Sequence, residues 1–312
     1  MGMPVFKTLG VLSTGIGNVT VAYPTAGNAP AANDIALLIC ESENQAISLS
    51  AAQGFVEVTN SPQSAGTAGV NPASRLAVFW KRCVGGDTNP TILDPGDHAT
   101  GRIYLFTGVR TTGNPWNITA GGNDGGINDT SGVIPGATTT VADCLVVAVC
   151  TSSRNGNSTS EFSNWTNADL ASLTERGDET NTVGLGGGHG LATGQKAGAG
   201  AYANTTVTLL NTSFKGAMSI ALEGASVVTN FQTLSATSIG VATLARITTF
   251  ARTLAATVIG VATLTPALLF SKAMSAVGVG VASLAKVPTY VVTLAPTAVG
   301  VAALSTVTTF AR

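Results

Sequence analysis

The chain is short of charge. Of its 312 residues, 10% are Asp, Glu, Lys or Arg, against roughly 25% in an ordinary soluble domain. The strong helix formers Glu, Lys, Arg and Gln are scarce, which argues against a mostly helical protein. Imidazole is nearly absent, with only His98 and His189, and enzyme sites draw on charged and imidazole side chains. The four cysteines, Cys40, Cys83, Cys144 and Cys150, include no CxxC pair, so neither a thiol metal knuckle nor a dithiol redox motif is present. Met-Gly-Met-Pro-Val-Phe-Lys at the start leads into Thr, Gly and Ser rather than an apolar run, so no secretory signal is expected. Acidic residues are missing altogether from 233–312.

Small and β-prone residues take their place. Glycine numbers 37 and threonine 44, and 45% of residues are apolar. That apolar share can build a core, which sets the chain apart from disordered sequences. The fold class expected is all-β, with weakly charged surfaces that suit an assembly part better than an enzyme. The net charge of −1 hides an asymmetry: residues 1–232 carry 10 basic and 16 acidic side chains, and 233–312 carry five basic ones, Arg246, Arg252, Lys272, Lys286 and Arg312. Five dispersed cations are too dilute for a nucleic-acid stripe, which needs clustered Lys and Arg.

The most specific feature is an internal repeat. Gly-Val-Ala recurs at Gly240, Gly260, Gly280 and Gly300, a period of 20 without slippage. The units are 233–252, 253–272, 273–292 and 293–312. Leu244, Leu264, Leu284 and Leu304 share the twelfth position, and Phe250, Phe270, Tyr290 and Phe310 the eighteenth. Departures are few: Ala273, Met274 and Val292 in the third unit, Pro296 in the fourth. Val, Ile, Thr and aromatics predict strands and turns. One unit has too few large side chains to stabilise itself, so burial is expected from stacking along the chain or from wrapping with identical chains. A threefold fibre segment would remove exposed sheet edges, and a homotrimer is the expected self-partner. The uncharged stretches 253–271 and 287–311 approach membrane-span length. Pro, Gly and Thr/Ser interrupt them, and a fixed 20-residue pattern implies specific neighbours that lipid does not demand, so no membrane partner is expected.

Residues 1–228 are expected to form an antiparallel β-sandwich, jelly-roll-like, followed by the repeat segment 229–312. Strands are predicted over 34–41, 55–59, 75–82, 101–110, 142–151, 205–210 and 214–223, with turn-rich stretches at 111–115, 121–132 and 184–200. Only Asn167–Glu175 reads as a helix, with Asn167 or Thr166 as cap. If Cys144-Leu-Val-Val-Ala-Val-Cys150 is a strand, the two thiols share a face about 20 Å apart, too far to bridge. Buried reduced thiols, consistent with synthesis in a cytosol, are expected.

Each chemical motif has a bland rival. Asp94-Pro-Gly-Asp97-His98, with Asp87 nearby, lacks the ligand spacing of a calcium loop and reads as a turn. Gly184–Gly190 has no Lys-Ser/Thr after its glycines and is not a phosphate loop. No G-x-S-x-G elbow supports a Ser/His/Asp triad. Glu161, Asp169, Glu175, Asp178 and Glu179 contain the carboxylates for glycan cleavage, but solvated charge beside the expected helix is the simpler reading. Trp80 is expected in the core, while Trp116 and Trp165, in predicted loops, are the candidate glycan contacts. No catalytic residue, metal or cofactor is expected.

Arg75-Leu-Ala-Val-Phe-Trp-Lys-Arg82, Asp94-Pro-Gly-Asp-His98, Val133-Ile-Pro-Gly-Ala-Thr-Thr-Thr140, Asn164-Trp-Thr-Asn-Ala-Asp-Leu170 and Thr174-Glu-Arg-Gly-Asp178 resemble virion-associated proteins of tailed bacteriophages over most of residues 5–222. The Leu-Ser-Ala-Thr-x-x-Gly-Val-Ala-Thr-Leu repeat is similar to repeats appended to phage structural proteins. The resemblance implies a non-enzymatic tail-fibre, head-fibre or decoration protein. It would be assembled in the host bacterial cytoplasm and carried on the virion, with capsid or tail proteins as partners. A host-glycan adhesin is the first alternative and a polysaccharide depolymerase the second.

Overall fold

A computed structural model describes residues 2–25, 27–49 and 53–225, together with eight strands between 232 and 307. The chain divides into two compact units, Met1–Ser226 and Val227–Arg312. Both are built from strands, and no α-helix occurs among the described residues.

The first unit is a sandwich of two antiparallel sheets. The first sheet has Ile35–Ser42 at its centre, flanked by Ala99–Thr107 and Ser74–Arg82, with Val5–Leu9 at one edge and Val56–Glu57 at the other. The second has Cys144–Ser152 at its centre, between Ala217–Glu223 and Gly187–Lys196, with Trp116–Gly122 and Ala171–Asn181 outermost. Each sheet comes from one half of the sequence, 5–107 and 116–223, whereas the strands of a jelly roll alternate between layers.

Alternation along the central strands separates two kinds of burial. Ile35, Leu37 and Ile39 meet Leu145, Val147 and Val149 in the interior between the sheets, with Tyr104, Phe106, Leu191 and Ile220. Their neighbours Ala36, Leu38 and Cys40 face outward, yet Val19, Val21, Tyr23 and Ile92 cover them. On the other side Ala148 and Cys150 lie under Ile134, Phe162, Val207 and Leu209 of a small three-stranded sheet. Cys144 and Val146 lie under Leu170 and Tyr202. Strands covered on both faces need apolar residues at every position, and this explains the unbroken run 144–150. All four cysteines are free and buried. Burial pushes the thiols of Cys83 and Cys150 up to about 12 and that of Cys144 up to about 11.

Two sequence expectations are corrected. The expected helix Asn167–Glu175 is instead a turn followed by the edge strand Ala171–Asn181, paired with Gly187–Lys196. Register shifts fall between Ala171 and Thr174 and again between Glu175 and Gly177, and Ser172 takes φ 51°. A bulge adds a residue to one strand, so Leu170 and Leu173 reach the same outer cluster at a spacing of three. That spacing imitates helical periodicity. The second correction is the stretch 184–200, expected as a loop. Its core, Gly187–Lys196, is a strand running the length of the second sheet. Its glycines admit close neighbours: a Cβ on Gly190 would stand 2.5 Å from the Phe162 ring.

In the second unit, the backbone follows the 20-residue period. Gln232–Ala236, Arg252–Ala256, Phe270–Ala276 and Tyr290–Pro296 form one parallel sheet; Gly240–Leu244, Gly260–Leu264, Gly280–Val287 and Val301–Val307 form another. Pairing joins residues twenty apart, as in Leu234 with Leu254 and Gly240 with Gly260. Leu244, Leu264, Leu284 and Leu304 fall in one register row. Strand pairing between successive units of one chain is what the described strands show. Gly300, Phe250 and Phe310 lie outside the described residues.

Candidate functional site

Ionisable side chains concentrate at one end of the first sheet. Glu41 lies near the end of Ile35–Ser42, in Cα register with Leu76 and Thr100 of the flanking strands. His98 immediately precedes Ala99–Thr107. Strand pairing therefore places the histidine beside the glutamate although 57 residues separate them. His98 donates through Nε2–H to Glu41 Oε2 at 3.0 Å and through Nδ1–H to Asp97 Oδ2 at 2.8 Å. Both His98 and Glu41 are fully buried. Asp97 Oδ2 also accepts the Leu185 N–H at 2.7 Å, which ties the glycine segment 184–187 to the cluster. The Ser74 hydroxyl stands 3.2 Å from Glu41 Oε1 and 2.8 Å from Thr151 Oγ1, linking the two sheets. A Cβ on Gly187 would fall 2.3 Å from Glu41 Oε2, so only glycine leaves room for the carboxylate.

The electrostatics follow from this geometry. Burial pulls the His98 pKa down, but the hydrogen bonds and charges of Glu41 and Asp97 outweigh it and raise it to about 9. Burial raises Glu41 to about 6 against the favourable pull of His98. Glu43 is also fully buried, with neither carboxylate oxygen in hydrogen-bond geometry. Burial, reinforced by the Glu41 charge, raises it to about 7. An imidazolium between carboxylates is a buried ion pair, which needs its full set of partners to be tolerated.

His98 is ordinarily half-protonated near 6.5 and holds its proton to about 9 in the fold. Its contribution to stability is therefore complete below pH 6.5 and disappears as pH rises toward 9. Glu41 and Glu43 act in the same direction at lower pH, losing stability between 4.5 and about 7. The melting temperature is expected to fall steadily from pH 6.5 to 9, and H98Q to flatten that limb. A melting temperature that rises over this interval in the natural protein would contradict the assignment. His189 opposes at acid pH: burial, and then the Arg102 charge, lowers it to about 3, so its contribution is lost as pH falls from 6.5.

The arrangement supplies no nucleophile to either imidazole. Both nitrogens of His98 face carboxylates, and the Ser74 hydroxyl meets Glu41 rather than the ring. His189 shares a hydrogen bond with the buried Tyr104 hydroxyl at 3.1 Å. The five carboxylates singled out for glycan cleavage each have a structural partner. Glu161 pairs with Arg154 at 2.6 Å and Glu179 with Arg102 at 2.9 Å. Glu175 accepts the Trp165 indole N–H at 2.8 Å, and Asp169 the Ala203 N–H at 2.8 Å. Asp178 accepts the backbone N–H groups of Glu161 and Phe162, both at 3.0 Å. Asp94 closes its own turn by accepting the Gly96 N–H at 2.8 Å, and Asp87 accepts from Val84 and Gly85 at 3.1 Å. Among the described residues no group of three or more His, Cys, Asp or Glu side chains could hold a metal ion.

Trp116 and Trp165 are not brought together as a platform. Trp116 begins a strand of the second sheet and is 8% exposed, packed edge-on against half-buried Trp80 at 5.5 Å. An indole in the inter-sheet core offers no face to a sugar, which removes it as a glycan contact. Trp165 is half-buried against Phe162 in a separate cluster. Sequence reasoning also passed over Glu41 and Glu43. A charged residue directly after the apolar run 35–40 is a signal for the first, but nothing local identifies its partner. No family model, no curated protein and no solved structure matches the chain.

Proposed function

We propose that the chain is a non-enzymatic structural protein of a tailed-bacteriophage virion, a fibre or decoration component, which assembles with copies of itself, as a homotrimer, through residues 233–312. The observation that supports this reading most is the parallel, in-register pairing of strands twenty residues apart. Repeats of this kind bury themselves only against neighbours of the same type, and the terminal units lack one neighbour. Among the described residues Gln232–Ala236 and Gly240–Leu244 pair on one side only, as do Tyr290–Pro296 and Val301–Val307. Open strand edges of a self-matching register are templates for another copy. The sandwich contributes a rigid body whose charged clusters are turned inward, which suits a building block, and it is the unit we assign to contact with capsid or tail proteins.

Light scattering on the full chain and on a chain ending at 232 tests this. The full chain is expected to be trimeric and the shortened one monomeric. A monomeric full chain, or an oligomer unchanged by the truncation, would overturn the proposal. Immunogold labelling of particles would then locate the protein on capsid or tail.

A further inference from the structure

Lys215 is the one lysine among the largest fully buried side chains of the sandwich. Its Nζ lies 2.5 Å from Asp129 Oδ1, 3.3 Å from the Asp129 main-chain oxygen and 3.3 Å from Asp124 Oδ2. The shortest of these is inside the ~2.7–2.9 Å of an ordinary charged N–H···O contact. Both sides of the contact are pinned. The Phe214 N–H donates to Ser153 Oγ at 3.1 Å, and the Gly216 N–H to Thr151 Oγ1 at 2.8 Å, so the backbone around Lys215 is fixed. Asp129 pairs with Ser213 across the sheet, and its Oδ1 accepts the Ser131 N–H at 3.0 Å. Asp124 is the more enclosed acid, its side chain 13% exposed against 43% for Asp129.

We propose that Lys215 and Asp129 are the reacting pair of an intramolecular isopeptide bond, with Asp124 as the proton carrier. Asp124 takes a proton from the Lys215 ammonium and passes it to an oxygen of Asp129, so that a neutral amine faces a neutral carboxylic acid instead of the ion pair that the Lys215 hydrogen bond favours. The amine attacks Cγ of Asp129, the Nζ–Cγ bond forms and one Cγ–O bond breaks. The departing hydroxyl takes one proton from the nitrogen and leaves as water. Ammonium plus carboxylate thus becomes a neutral amide plus water, with no oxidant, reductant or co-reactant. Fixed proximity of the two groups replaces a bimolecular encounter, and the amide removes a buried cation that is expensive to keep. Burial raises the Asp124 carboxyl against the pull of Lys215, as a group that must carry a proton requires. The half-exposed Asp129 leaves the water a way out. The link would close a loop over 86 residues and staple the first residue of Asp129–Ile134 to the turn before Ala217–Glu223.

The full natural chain, purified and shown to be folded by its melting transition, is weighed intact by mass spectrometry and then digested. The expected mass is one water below that of the sequence, with a branched peptide joining Asp129 to Lys215 that survives hydroxylamine. K215A and D129A are expected at their full sequence masses. D124A, which keeps both reacting groups, is expected to remain unlinked. A folded natural chain at full sequence mass overturns the proposal and leaves an ordinary buried ion pair. A water loss that maps to a hydroxylamine-sensitive succinimide at Asp124–Gly125, or a link from Lys215 to Asp124, overturns it as well. Full linkage in D124A would remove the proton carrier.

Discussion

Replacing His98 by alanine is expected to lower the stability of the sandwich by about 3–5 kcal/mol near pH 8, the range for removing one partner of a buried ion pair. The residue is fully buried and bonded to two carboxylates, so its loss leaves Glu41 charged with only Ser74 beside it. Denaturant midpoints followed by tryptophan fluorescence, which reports Trp80 and Trp116 in the core, would measure the change. The partner separates electrostatics from lost packing: if the unpaired Glu41 charge carries the cost, adding E41Q recovers part of the stability lost in H98A at pH 8, whereas a loss that E41Q leaves unchanged belongs to the cavity. Pairing H98A with E41Q closes a double-mutant cycle, in which a strongly favourable coupling is expected.

Gly188→Ala is expected to destabilise the protein by about 3 kcal/mol or to prevent folding, at the upper end of overpacking. Gly188 lies near the start of Gly187–Lys196, in register with Ser152 on one side and Thr180 on the other. A Cβ there would stand 2.0 Å from the Glu179 carbonyl oxygen and 2.6 Å from Thr180 Cα. Those are backbone atoms of a paired strand and cannot rotate aside. Gly198→Ala is the control. Nothing lies within 4 Å of the added methyl, and removing glycine's freedom in the unfolded chain should leave stability unchanged or improve it by about 0.4–1 kcal/mol. Equal behaviour of the two variants would show that strand 187–196 does not approach its neighbour as closely as described.

The helix expected at 167–175 shows where local pattern misleads. Leu170 and Leu173 are three apart because a bulge near Ser172 resets the alternation of an edge strand. Bulge position depends on the partner strand, which local sequence does not contain. Glycine-rich 187–194 misled in the opposite sense. Glycine disfavours strands on its own, yet here the crowding comes from Glu41, Phe162 and the backbone of the adjacent strand at Glu179, neighbours that only the pairing of strands supplies.

What the amino-acid order determined by itself was whatever depends on composition and short-range period. That comprises the all-β class and the 20-residue period of the C-terminal unit. Only the tertiary structure decided which half of the chain builds which sheet, that Trp116 points inward, and that Glu41 meets His98 while Lys215 meets Asp124 and Asp129. Those pairings join residues 57 to 91 positions apart. Burial, not local preference, selects them, because a charge taken out of water must find its counter-charge wherever the fold brings one.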